Sequence, residues 1–238
     1  MKNVVVIPTY NEKENIKPLI KEIFKYVPNV FILVVDDNSP DGTANEVKNI
    51  MIENKNVSLL SRFKKEGLGK AYLNAFNELA KDPSIEYVLI MDADFSHNPK
   101  YLPKMFEVVS NYDVVVGSRY IGGKDSGTEG WELWRRILSK MGNLYCRMIT
   151  GMPIEDSTAG FMLIRKKMLD QISINDFDVS GYAFMMELKY TLWKKGARFK
   201  EVPIIFKNRR QGESKLSSHI IAEGIIAPWK MVFRKKML

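Results

Sequence analysis

Tyr87-Val88-Leu89-Ile90-Met91-Asp92-Ala93-Asp94 is an apolar run that stops abruptly at two carboxylates. A short run of this kind has the length and composition of a strand buried on both faces, and such strands belong to parallel sheets. The pattern recurs along the first half of the chain. Residues 4–7 run into Pro8-Thr9-Tyr10-Asn11-Glu12, residues 31–35 into Asp36-Asp37, and residues 114–117 into Ser118-Arg119, with a further strand at 57–60. Between these runs the apolar spacing turns helical, as at Ile16, Leu19, Ile20, Ile23 and Phe24 or at Tyr72, Ala75, Phe76 and Leu79. Helices are expected at 14–26, 41–52, 69–80 and 99–109. Strand–helix alternation predicts an α/β fold with a mostly parallel central sheet covered by helices. Ligands of such sheets bind outside the carboxyl ends of the strands, which is where the polar residues fall.

The second half is less regular. Residues 121–130 hold four glycines and read as a loop that is either a lid over the site or ordinary surface. A helix is expected over 131–149, a strand at 161–164, a helix over 182–195 ended by Gly196, and an edge strand at 202–206 containing Pro203. The last twenty or so residues read as helical but broken into two short pieces at Pro228. No linker splits the 238 residues, so one globular domain is expected over 1–215, followed by amphipathic C-terminal helices over 216–238 packed on the domain or on a membrane surface.

Hydrophobic residues make up 45% and charged residues 27% of the chain, an ordinary globular composition. The apolar run at 4–7 is too short for a signal peptide and is stopped by Pro8. No stretch reaches the roughly 18 apolar residues of a bilayer span. Cys146 is the single cysteine, which excludes an internal disulfide or a Cys-rich metal site and fits a small core residue. The net charge of +8 is uneven. Residues 194–238 hold twelve Lys and Arg against three Glu, a net +9, leaving about −1 for the rest. That asymmetry suits either a polyanionic partner or a solvated face. Without a helix-turn-helix, zinc or RNP-type motif, no nucleic-acid partner is expected.

A D-x-D pair alone occurs close to chance frequency in a chain of this length. Its place at a strand end makes Asp92 and Asp94 candidates for a divalent cation, because neighbouring carboxylates repel and Mg²⁺ or Mn²⁺ relieves the repulsion. Asp36-Asp37 admits two readings, a turn cap or an acceptor for a base or ribose. Gly67-Leu68-Gly69-Lys70 lacks P-loop spacing and reads as a helix start. Arg209 to Lys215 is a basic loop suited to phosphate or merely to solvent. His97 and His219 have no ligand partners at metal spacing and are assigned structural or surface roles.

Taken in order, residues 4–12, 34–43, 67–71, 91–99, 117–120, 156–161 and 209–215 resemble glycosyltransferase family two. More narrowly, they resemble the dolichol-phosphate (polyprenol-phosphate) mannosyltransferases. The resemblance implies the single-domain A-type glycosyltransferase fold. Pro8, Tyr10 and Glu12 would line the nucleotide pocket, and Val35 and Asp37 would bracket the base. Asp92, Ala93 and Asp94 would lie at the ribose, diphosphate and metal, with Asp94 as metal ligand. Arg119, Arg209 and Lys215 would hold phosphates, and Asp94, Arg119 and Arg209 would carry catalysis. Some family members have Gln where this chain has Ser96, and there it helps bind the metal. The implied reaction is inverting transfer of mannose from GDP-mannose to dolichyl or polyprenyl phosphate with Mg or Mn, at the cytoplasmic face of a membrane. Some family members of similar length work with a small membrane subunit. The competing expectations are UDP-glucose as donor and a catalytically silent nucleotide-binding module.

Overall fold

The computed structural model describes residues 1–173, 177, 183–208 and 218–234, the side chains of 218–221 excepted. The first half alternates as expected: β1 (Lys2–Thr9), α1 (Lys13–Tyr26), β2 (Phe31–Asp36), α2 (Thr43–Glu53), β3 (Val57–Ser61), α3 (Leu68–Ala80), β4 (Ile85–Ile90), α4 (Leu102–Val108) and β5 (Val114–Ser118). The second half follows with β6 (Gly127–Glu129), α5 (Leu133–Thr150), β7 (Met162–Arg165), α6 (Lys166–Leu169), α7 (Phe184–Lys194), β8 (Phe199–Pro203), β9 (Ile205–Lys207) and α8 (Ser218–Phe233).

Among the described residues the main sheet has seven strands in the order β3-β2-β1-β4-β7-β5-β8. All its pairings are parallel except those of β7, which runs antiparallel to both β4 and β5. The β-branched runs explain the burial. Val4, Val6, Val88 and Ile90 face α3 and α7, whereas Val5, Ile7 and Leu89 face α1 and α4. This alternation seals both faces, and β1 and β2 end level at their carboxyl edge, whereas β4 stops at Ile90, opposite Val6. Thr9 pairs with Asp36 at that edge.

Three details differ from the sequence reading. The glycine-rich stretch contains a strand, β6, held parallel to β9 by backbone hydrogen bonds and by the Lys207–Glu129 ion pair. The single strand expected at 202–206 is two, because Ile204 turns inward between them and donates its N–H to the Ser118 carbonyl. Pro203 does sit on the edge strand β8. Pro228 does not break the C-terminal segment, and α8 runs through it as one helix. Proline forgoes one backbone hydrogen bond and crowds the carbonyl four residues back. Here that residue is Gly224, and the helix is also held by packing: Ala227 and Met231 are buried with Cys146, Met152 and Ile154 against α5 and α7. No described helix is long and apolar enough to cross a membrane.

The tightest joint under the site is Gly117 in β5. A Cβ there would stand 2.8 Å from Phe161 Cδ1 and 3.2 Å from Ile204 Cδ1. Gly117→Ala should therefore lower stability by about 1–3 kcal/mol through overpacking. A urea titration with an unchanged slope and a lower midpoint checks this.

Candidate active site

Three adjacent strands end in turns that use left-handed backbone at residues other than glycine: Asn11 (φ 61°) after β1, Asn38 (φ 56°) after β2 and Phe95 (φ 63°) after β4. Such conformations cost free energy and persist where the surroundings impose them, characteristically at ligand sites. Local hydrogen bonds impose them here. Asp36 accepts from the Thr9 hydroxyl and from the N–H and hydroxyl of Ser39, which makes it the anchor of its turn. Asp41 accepts from the Thr43 N–H and hydroxyl and from the Lys13 N–H. The two readings of Asp36-Asp37 therefore divide. Asp36 is structural, while Asp37 is buried at the strand end against Arg62. Burial pushes the Asp37 carboxyl above its ordinary range, against the pull of the Arg62 guanidinium.

Asp92-Ala93-Asp94 leaves β4 in the third turn. Asp94 is only 4% exposed and accepts from the Ser96 N–H (3.0 Å) and hydroxyl (2.6 Å). Ser96, which stands where some family members have Gln, thus fixes the Asp94 carboxylate. His97 closes the turn: its Nδ1 accepts the Asp92 N–H at 3.0 Å, and its ring stacks on Phe161 at 5.0 Å. Burial lowers the His97 pKa, in keeping with a neutral ring. His97 is buried rather than at the surface, and the side chain of His219 lies outside the described residues.

The donor set suits a hard divalent cation. Asp92 and Asp94 supply two carboxylates, and Mg²⁺ or Mn²⁺ takes one or two carboxylates with the remaining positions filled by water and phosphate. No group of three or more acidic, His or Cys ligands forms among the described residues. A second observation points the same way. The Tyr72 hydroxyl is fully buried with no hydrogen-bond partner among the described residues, in the field of both carboxylates.

Pro8 lies near the end of β1, paired with Val35, and Tyr10 and Glu12 follow in the turn before α1. Tyr10 is exposed with Lys65 over its ring, and Glu12 donates its N–H to the Thr43 hydroxyl. Val35 is fully buried in the core, so its side chain does not reach the rim, and only its backbone stands near the strand end. Ala93 is buried beneath the Asp92–Asp94 turn. Arg209 and Lys215 lie outside the described residues.

Arg119 directly follows β5 and is buried. Its N–H, Nε and Nη2 all donate to Asp156 at 2.6–3.0 Å, and Nη2 also donates to Thr158. Burial would raise the Asp156 pKa, but the Arg119 charge and hydrogen bonds hold it below the ordinary carboxylate range. Arg119 also borders a cavity of about 360 Å³ lined by Tyr120, Arg136, Ile137, Lys140 and Ile205. The sequence reading quoted residues 156–161 without giving Asp156 a role, and it missed the scaffold around that loop. Asn143 of α5 accepts from the Ser157 hydroxyl and the Thr158 N–H. Glu201 of β8 accepts the N–H groups of Glu155 and Asp156. Lys189 of α7, fully buried, donates to the carbonyls of Ser157 (3.0 Å), Met185 (3.3 Å) and Ala159. A lysine inside an apolar helix was the available signal.

The mostly parallel sheet thus carries a paired-acid turn at its carboxyl edge and a cavity lined by cations at Arg119. Residues 4–173 match the model of "Glycosyl transferase family 2". The chain belongs to that family. It is 37% identical over 227 residues to an undecaprenyl-phosphate mannosyltransferase of Micrococcus luteus, covering 95% of this chain and 92% of the relative. It is 38% identical over 234 residues to a polyprenol monophosphomannose synthase of Mycolicibacterium smegmatis, covering 96% and 86%. Solved structures share the fold at low identity. Glucosyl-3-phosphoglycerate synthase from Mycobacterium tuberculosis, with Mn²⁺, UDP and phosphoglyceric acid, superposes with a TM-score of 0.69 at 14% identity, covering 98% of this chain and 78% of that one. A mannosyltransferase from Pyrobaculum calidifontis, with GDP-Man and Mn²⁺, gives 0.64 at 16% identity, covering 99% and 65%.

Lys189→Met should leave three buried carbonyls short of a donor and cost about 2–4 kcal/mol. Burial lowers the Lys189 ammonium to about 7, whereas in the unfolded chain it keeps its proton to roughly 10.4. The unfolded state then binds more protons across that window, so this group's contribution to stability increases as pH rises through it. The wild-type advantage over Lys189→Met, measured by denaturant titration, should be larger at pH 9 than at pH 6.5 (values chosen to straddle that window).

Proposed function

We propose that the protein transfers mannose from GDP-mannose to a polyprenyl phosphate of the dolichyl or undecaprenyl type, with inversion, to give polyprenyl-phosphate mannose. The observation that carries this reading is the identity of more than a third, over nearly the whole of both chains, with two relatives named for mannosyl transfer to a polyprenol phosphate or synthesis of its product. GDP as the nucleotide gains support from the fold neighbour holding GDP-Man.

The residues fit the chemistry. An oxygen of the acceptor phosphate forms the new bond to the anomeric carbon as the bond to the nucleoside diphosphate breaks. A phosphate monoester is largely ionised at neutral pH, with a second pKa near ~6, so it needs no strong general base. Asp94, locked by Ser96, and Asp92 would hold a Mg²⁺ or Mn²⁺ ion against the diphosphate. When bound, the ion neutralises charge on the leaving group. Arg119 keeps its guanidinium oriented through Asp156 and would meet a phosphate at the cavity edge, with Arg209 and Lys215 as further phosphate ligands. Asp37, with Pro8, Tyr10 and Glu12, would receive the nucleoside. The enzyme would act at a membrane surface as a peripheral protein, because its acceptor is a lipid.

Asp94→Ala should abolish transfer of radiolabelled mannose from GDP-mannose to polyprenyl phosphate, with the fold retained by circular dichroism. Near-normal turnover at saturating Mn²⁺ would remove Asp94 from the metal site. A donor panel run with the wild-type protein decides the sugar, since faster labelling from UDP-glucose would replace the mannose assignment.

A further inference from the structure

Among the described residues, two buried side chains leave their only polar atom without a hydrogen-bond partner: Trp131 at Nε1 and Tyr72 at its hydroxyl. Trp131 lies beside the Arg119 guanidinium, which stands 5.5 Å from its ring centroid. Tyr72 is the more deeply placed. It is fully buried on α3, in the core cluster that holds Val6, Val88, Ile90 and Ala159. Phe184 stacks on its ring at 6.2 Å with 8° between the planes, and Phe76 at 6.1 Å with 23°. Phe184 is itself pressed against α3, since a Cβ on Gly69 would stand 2.9 Å from its Cδ2. The Tyr72 ring is therefore clamped, and its hydroxyl oxygen has one place.

Nothing in this packing calls for an oxygen. Phenylalanine would fill the same space against Phe76 and Phe184 with no polar atom to satisfy. A buried tyrosine hydroxyl ordinarily finds a partner, and one without a partner forfeits the hydrogen bonds it made in water. A group left unsatisfied in a native fold points to a functional role or to a partner supplied from outside the chain. The paired-acid turn is the neighbouring polar feature. After burial itself, the charges of Asp92 and Asp94 act on the Tyr72 hydroxyl and keep it protonated and able to donate. The Asp92 carboxylate reaches over the loop before β7, where a Cβ on Gly160 would stand 4.0 Å from its Oδ1, and Ala159 beside that glycine shares the Tyr72 cluster.

We propose that Tyr72 is a positioning residue for the metal: its hydroxyl is unpaired in the free protein and donates a hydrogen bond to an oxygen that arrives with the ion, either a water of the ion's shell or an oxygen of the diphosphate. The proposal rests on Asp92 and Asp94 as the metal site and adds a neutral donor to it. Such a donor leaves the charge of the site unchanged and orients the oxygen it holds. The unpaired hydroxyl raises the free energy of the empty site alone, so pairing it adds to the affinity for the ion.

The test compares the full chain as wild type, Tyr72→Phe and Asp94→Ala. Each is titrated with Mn²⁺ alone and with Mn²⁺ plus GDP, free Mn²⁺ being read from its electron paramagnetic resonance signal. Tyr72→Phe should weaken Mn²⁺ binding by about tenfold. A loss seen with Mn²⁺ alone assigns the acceptor to a shell water, and a loss seen only with GDP present assigns it to the diphosphate. Before any metal is added, the urea midpoint of Tyr72→Phe should equal or exceed that of the wild type, because an orphaned group has been removed. A hydroxyl that served only the fold would move the midpoint the other way. Mn²⁺ affinity indistinguishable from wild type under both conditions, beside a loss in Asp94→Ala, overturns the proposal and keeps the metal site. A lower metal-free midpoint in Tyr72→Phe overturns it as well, by showing that the hydroxyl already has a partner in the protein. Unchanged affinity in both variants removes the metal site itself, and the proposal with it.

Discussion

The buried pair between Arg119 and Asp156 joins more of this molecule than any other contact at the site. Two charges withdrawn from water cost several kcal/mol each, and attraction repays that only when geometry and hydrogen bonding are complete. Here they are nearly so. The carboxylate takes the Arg119 backbone N–H as well as two guanidinium nitrogens, and Thr158 takes a further guanidinium proton. The loop carrying Asp156 is in turn held from three sides, by Asn143 of α5, Lys189 of α7 and Glu201 of β8. Each of these groups would be costly if its partner were lost. The end of β5, the loop before β7 and two helices are therefore committed to one arrangement. A guanidinium held in that way is oriented before any ligand arrives, which is the condition under which a cation stabilises transferring charge without reorganisation.

The nucleotide side of the site is built by a different device. The strands β1, β2 and β4 are neighbours, and each is followed by a turn containing a left-handed residue that is not glycine. Short polar side chains lock those turns: Ser39 on Asp36, Thr43 on Asp41, Ser96 on Asp94. The strain is offset by the sheet below, whose central strands are sealed on both faces. Asp94 is thus aimed by its own turn, whereas Arg119 is aimed by a distant loop.

That difference explains what was legible in the sequence. Buried strands made of β-branched residues announce themselves locally, so the parallel core, the strand-end acids and the helical faces of α1 and α3 could all be read from residues 4–118. Asp94 followed because its position depends on four neighbouring residues. The antiparallel direction of β7 could not be read, since an apolar run carries no sign of its orientation. Asp156 and Lys189 escaped assignment for a related reason. Arg119 lies 37 residues from Asp156 and Ser157 lies 32 residues from Lys189, and nothing in local spacing encodes such a contact. At Val35 the strand pattern places the side chain in the core, which leaves the backbone near the strand end as the part that could face a base. Pro228 was read by the general rule against proline inside helices, yet Gly224 one turn earlier and the buried Ala227 and Met231 keep α8 continuous.

Helix α5 ties these two scales together. One side of it is polar and inward, where Asn143 organises the Asp156 loop and Ser139 accepts from the Tyr120 hydroxyl at 2.6 Å. Arg136 and Lys140, at the edge, line the cavity. The remaining arc is apolar and faces outward. A helix shared in this way cannot shift to improve contact with one side without disturbing the other, because the Asn143 hydrogen bonds fix its rotation. Whatever covers the outer arc is therefore registered against Arg119 by a rigid element. On the proposed reading, with a phosphate acceptor at a lipid surface, such registration would align the phosphate with the site, and orientation of that kind lowers a barrier that binding alone would leave in place.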